Sequence, residues 1–357
     1  MGQDRTLARG ARTFGSVLLT VLALVSLGWI VRDLTQADRT VDVWWMWTGA
    51  VPRAEGGVWV SSFLEPTLLL TYAVSAVMAV RSSAAAGILT SVGLTTVLLR
   101  IPGLWIPNAN WTQGVDEDLQ TQLLFSTIGM VVLGAALVVT AATGRRPIEP
   151  DGAPPAGPAD EPAALPTRGG GTTAFLVLAA AGLVVAAWEV RNWYEIGWEY
   201  YSRKLTGERS TVTLLAVPPG WFAWALALLL LVAGCTAAAR ARFSRAMGLV
   251  LSAPLLGHGV FPLAYAVKMR LLENFSELNT RDQLLLASMA FEVLAGVVAL
   301  LALARRAEPE DPPGFFEDPP GMYQPPPTGG YGQPSQGYPA PPPDPYGRPA
   351  PHRPPGW

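Results

Sequence analysis

The chain of 357 residues is 50% hydrophobic and only 15% charged, with a formal net charge of −2, whereas an ordinary soluble domain carries about 25% charged residues. That deficit points to lipid. Acids slightly outnumber bases and no Lys/Arg cluster builds a basic patch, which excludes nucleic acid as a partner.

Cys235 is the single cysteine, and His258 and His352 are the only histidines. They leave no disulfide framework, no Cys-x-x-Cys knuckle and no histidine-built zinc or haem site, so neither a metal nor a cofactor is expected. No phosphate-binding glycine loop, nucleophile elbow, His-Glu-x-x-His or dinucleotide fingerprint occurs either.

A helix crosses the bilayer core with about 20 mainly apolar residues. Eight stretches qualify: 14–31, 63–80, 84–106 and 123–142, then 173–190, 221–239, 246–267 and 284–304. The expected fold is an all-α integral membrane protein with eight transmembrane helices, because irregular backbone and open strands do not survive against lipid. Arg5, Arg9 and Arg12 precede the first stretch, but no small-x-small cleavage site follows it, so it reads as an uncleaved anchor.

Three landmarks recur at a spacing of about 160 residues. Trp29-Ile-Val-Arg-Asp33 returns as Trp188-Glu-Val-Arg-Asn192, Pro102 as Pro262, and Arg145-Arg146 as Arg305-Arg306. An even number of spans per unit gives two parallel four-helix repeats, related by an axis along the membrane normal. The expected organisation is a first four-helix membrane repeat over 1–143, a cytoplasmic disordered linker over 144–172, a second four-helix repeat over 173–306, and a disordered Pro/Gly/Tyr-rich cytoplasmic tail over 307–357.

Lys and Arg favour the cytoplasmic side of a membrane protein. One set of connections is purely basic, with Arg81, Arg145-Arg146, Arg240-Ala-Arg-Phe-Ser-Arg245 and Arg305-Arg306, while the opposite set carries more acids than bases. The chain is therefore expected in the cytoplasmic membrane with both termini inside. The linker and tail are too rich in Pro, Gly and Ala to bury a core. Stretches such as Pro339-Ala-Pro-Pro342 and Pro351-His-Arg-Pro354 suit an aromatic groove on a cytoplasmic protein partner.

Every tryptophan except Trp357 falls in an outer connection or the outer end of a span, which expects interfacial anchoring on that side. Ionisable residues inside spans are costly and are functional candidates by default. Arg100, His258 and Glu292 qualify, at roughly 9 to 12 Å below the outer boundary by helical rise. They are the candidate intramembrane polar cluster, with Arg100 and His258 each just before one of the paired prolines, where a kink would free carbonyls for a cavity.

Arg32, Asp33, Glu65, Glu189 and Arg191 sit at span ends and are expected to snorkel to headgroups. Arg32 and Arg191, as repeat equivalents, are the candidate contacts for an anionic headgroup. The first functional expectation is a non-enzymatic organiser or sensor whose partners are the lipid bilayer and a protein bound to the Pro-rich tail. A small solute carrier or channel with an outward vestibule lined by Arg100, His258 and Glu292 is the second. The third is an outer-face enzyme on a lipid-linked substrate, with Asp38, Asp42 or Glu292 as base.

Overall fold

A computed structural model describes residues 5–50, 52, 58–112, 114–147, 165–208 and 213–305. Nine α-helices are described within them: α1 (Arg9–Thr35), α2 (Thr40–Trp47), α3 (Leu64–Arg81), α4 (Ala85–Arg100), α5 (Glu117–Thr143), α6 (Arg168–Thr206), α7 (Pro219–Ala238), α8 (Ser244–Lys268) and α9 (Thr280–Ala304). All but α2 are long and apolar enough to cross a membrane, so the chain is read as a multi-pass membrane protein. Large apolar side chains such as Leu70, Phe125, Val132, Leu183, Leu228 and Leu301 are exposed along their outer surfaces, an arrangement that suits lipid and not water.

Short polar side chains start three of these helices, α5, α6 and α9, by taking orphan backbone amides. Asp116 accepts from the Leu119 amide, Thr167 from Gly170 and Asn279 from Asp282. Before α3, Ser62 and Glu65 form a reciprocal cap: the Ser62 hydroxyl accepts from the Leu64 amide, and Glu65 reaches back to the Ser62 amide and hydroxyl.

The expected boundaries shift at three places. Strand β1 (Arg5–Leu7) pairs antiparallel with β2 (Arg145–Pro147), so the first residues assigned to the linker are ordered against the N-terminal segment. Helix α6 begins at Arg168, inside the same expected linker, because Thr167 caps it. Residues 148–164, and the tail from 306 onward, lie outside the described residues. The paired prolines also diverge: α4 stops at Arg100 and continues as a 3-10 turn over Ile101–Leu104, whereas α8 runs through Pro262 without ending.

Helix α6 has 39 residues, about 58 Å at helical rise, well beyond a hydrocarbon core of about 30 Å. Its apolar part closes near Val190. The remainder is interrupted at Gly197, whose φ of 75° lies in the left-handed region that favours glycine.

In the first half α1 packs on α3, α4 on α5, α3 on α4 and α1 on α5; in the second, α6 packs on α7, α8 on α9, α7 on α8 and α6 on α9. The halves meet where α8 touches α3 and α4 and where α4 touches α7. Small residues permit the closest approaches: a Cβ on Gly93 would lie 2.5 Å from the Gly134 carbonyl oxygen of α5.

Each half also sends a connection over the other. The Leu214 and Leu215 amides donate to the Trp59 and Val60 carbonyls at 3.2 and 3.0 Å, and the two leucines fill a cluster with Trp29, Val60 and Leu123. In return, Trp44 and Trp47 of α2 lie against Phe261 of α8, with ring centroids 5.2 and 6.4 Å apart.

Candidate functional site

The polar side chains of the second half gather around a cavity of about 210 Å³ bounded by α6, α7, α8 and α9. His258 Nδ1 lies 2.7 Å from Glu292 Oε2 on its wall, with the imidazole 31% exposed and the carboxylate 3% exposed. This hydrogen bond engages Nδ1, and Nε2 is the ring nitrogen left for another partner. Close approach of α8 and α9 makes this pair: a Cβ on Gly259 would come within 2.8 Å of the Met289 carbonyl oxygen. The Phe222 ring packs on the imidazole at 5.4 Å between centroids.

Glu189 of α6 lines the same cavity and is buried. It accepts from Tyr201 Oη at 2.9 Å and Asn192 Nδ2 at 3.2 Å, with Lys204 Nζ at 3.5 Å. The Tyr201 hydroxyl in turn accepts from Trp224 Nε1 at 2.6 Å. Trp188 Nε1 donates to Ser288 Oγ at 3.0 Å across the gap between α6 and α9. Arg281 lines the cavity as well and pairs with Glu195 at 3.6 Å. Two carboxylates, an imidazole, an amide and a hydroxyl beside an indole thus converge on the cavity. Among the described residues no group of three or more His, Cys, Asp or Glu side chains could hold a metal ion.

Arg100 does not line this cavity. The structure brings His258 and Glu292 together and places Arg100 between α3 and α4, 2% exposed, with Nη1 2.9 Å from Glu65 Oε1 and 3.5 Å from the Leu215 carbonyl oxygen. Its other guanidinium nitrogens are buried beside Tyr72. Tyr72 Oη and Thr96 Oγ1 bond at 3.0 Å between the same two helices. The shared depth of the three residues gave no information on which helix faces meet, and this is what separates them.

The expected snorkelling fails for three of the end charges. Asp33, Glu65 and Glu189 are all buried. Asp33 accepts from the Val60 amide at 3.2 Å and from the Ser61 amide and hydroxyl at 2.6 Å each, so it holds the connection into α3. Arg32 bonds Asp33 Oδ1 at 2.8 Å and the Val58 carbonyl at 3.0 Å. Arg191 pairs with Glu195 at 2.7 Å and lies over the Trp188 ring at 5.1 Å. Each arginine is thus engaged inside its own half. Glu65 was detectable as the fourth residue of a Ser-x-x-Glu cap; Glu189 carried no comparable signal.

No protein-family model matches the chain, and no curated protein or solved structure matches it.

Proposed function

We propose that this is a non-enzymatic protein of the cytoplasmic membrane that senses a small polar solute in the cavity between α6 and α9. In this reading both termini are cytoplasmic, and the Pro-rich C-terminal segment is the arm that meets a partner. The observation that carries it is the His258–Glu292 pair, half open to a 210 Å³ cavity. A carboxylate buried inside a membrane span is costly, and this one is bonded to an imidazole that opens on the cavity.

Toward the opposite ends of the same helices Leu178, Ala181, Leu230, Ala233, Leu251 and Ala299 are buried in one apolar cluster. That plug favours a binding pocket over an open channel. Basic residues at those ends, including Arg240, Arg242 and Arg245, support a cytoplasmic assignment for that side.

A carrier is the second reading, favoured by the matched helix pairings of the two halves. Two parallel four-helix repeats supply two bodies that rock about their α4–α8 contact. The organiser and carrier readings separate in proteoliposomes. Purified protein in nanodiscs is screened by thermal shift against simple amines, amino acids and monocarboxylates, and any hit is tested for uptake. A shift lost in Glu292→Gln and Ser288→Trp, without uptake, supports the sensor; uptake replaces it with the carrier. No shift from any solute, or equal shifts in both variants, overturns the pocket reading.

A further inference from the structure

A second cavity, far less polar, runs between the two halves. It encloses about 570 Å³, inside the range of about 300–1,000 Å³ of small-molecule sites. Leu70, Val74 and Met78 of α3 form one wall and Leu249, Ala253 and Leu256 of α8 the other, each set at the three- and four-residue spacing of one helix face. Leu70, Val74 and Met78 are exposed, so the groove opens sideways on the surface that faces lipid.

Its length follows from the helices. Pro66 lies at one end and Ser82 at the other, about 24 Å apart by helical rise. A groove of that length is matched to an extended hydrocarbon chain. The hydroxyls along the wall do not make it polar, since Thr67 and Thr71 donate to carbonyls of their own helix.

The two ends differ in charge. Phe261 and Pro66 close one. At the other, Arg245 lines the groove, held in place by Nε donating to the Leu303 carbonyl at 2.6 Å and Nη2 to the Ala304 carbonyl at 2.9 Å. Helix α3 ends at Arg81, one residue before Ser82 on the groove wall, and the first turns of α4 and α8 open at the same level, with Gly87 next to Phe243 and Ala246. Arg245 and two helix N-termini make this end the positive mouth of an apolar slot.

We infer that the groove seats one acyl chain of an anionic glycerophospholipid, with its phosphate at the Arg245 end. The inference rests on the membrane reading but not on the solute pocket. The bound chain covers the seam between the halves, and the charge at the mouth selects the leaflet and the headgroup.

The test uses the full chain in phosphatidylcholine nanodiscs containing a phosphatidylglycerol with a photoactivatable diazirine on its acyl chain. After illumination, adducts mapped by peptide mass spectrometry should be several-fold denser over 66–78 and 249–261 than over the lipid-facing surfaces around Val132 and Leu183. Excess unlabelled phosphatidylglycerol should remove the groove adducts selectively, as should Ala253→Trp. Arg245→Gln, or the same probe on a phosphatidylcholine headgroup, should lower them several-fold. Even labelling of all exposed helix faces overturns the groove and leaves the membrane reading standing, as does indifference to headgroup. Absence of adducts anywhere overturns both.

Discussion

Arg100 Nη1 lies 2.9 Å from Glu65 Oε1, and this contact ties the last turn of α4 to the first turn of α3. Both charges sit where the helix dipoles favour them. The pair is closed from above by the Leu215 carbonyl of the other half.

Removing one member should therefore be worse than removing both. Arg100→Met leaves a buried carboxylate without its cation and should cost about 3–5 kcal/mol. The double variant with Glu65→Gln should recover much of that loss. Thermal unfolding of the three proteins in one detergent checks this; a single variant no less stable than the double would refute the coupling.

Asp33 gathers two amides and a hydroxyl from the connection that leads into α3. Asp33→Ala should cost about 1–3 kcal/mol and raise hydrogen exchange at Val60 and Ser61 first. Exchange that rises evenly along α1 and α3 would show that the carboxylate has no local hold.

Solvent should reach one polar site and not the other. In a Cys235→Ala background, cysteines at 281 and 288 should react with a small hydrophilic maleimide, while a cysteine at 96, fully buried beside Tyr72, should stay silent. Reaction at 96 would mean that the Arg100 region is as open as the cavity.

Two glycines make a matched comparison. Gly259→Ala drives a methyl against the Met289 carbonyl and should cost about 1–3 kcal/mol, separating His258 from Glu292. Gly28→Ala meets nothing within 4 Å and should stabilise α1 by up to about 1 kcal/mol through helix propensity. Melting temperatures that move in the same direction would contradict this assignment.

Helix number and approximate bounds were legible because apolar length is a one-dimensional property, visible without knowing what packs on what. Glu65 and Asp33 show where such legibility ends. Both stand at span ends, where a side chain can reach headgroups, and each turns inward because a nearby loop offers amides that nothing else satisfies. Those amides belong to connections with no periodicity; the Ser-x-x-Glu spacing marks the one that Glu65 takes, and nothing comparable marks the amides that Asp33 takes. The same holds for Leu214 and Leu215, which look like part of a loop and act as core for the opposite half. His258 and Glu292 could be placed at one depth, but their meeting depended on glycines at 259 and 296, which set how near α8 comes to α9.

The pairing of Arg5–Leu7 with Arg145–Pro147 bears on the order in which the protein assembles. Both strands exist as soon as residue 147 has been synthesised, so the first four spans can close on themselves before α6 is made. The leucines that fill the space beside Trp29, Val60 and Leu123 arrive only later, with the connection before α7. The first half is thus a closed ring with an empty socket during synthesis, and arrival of the second half completes its interior as well as its surface.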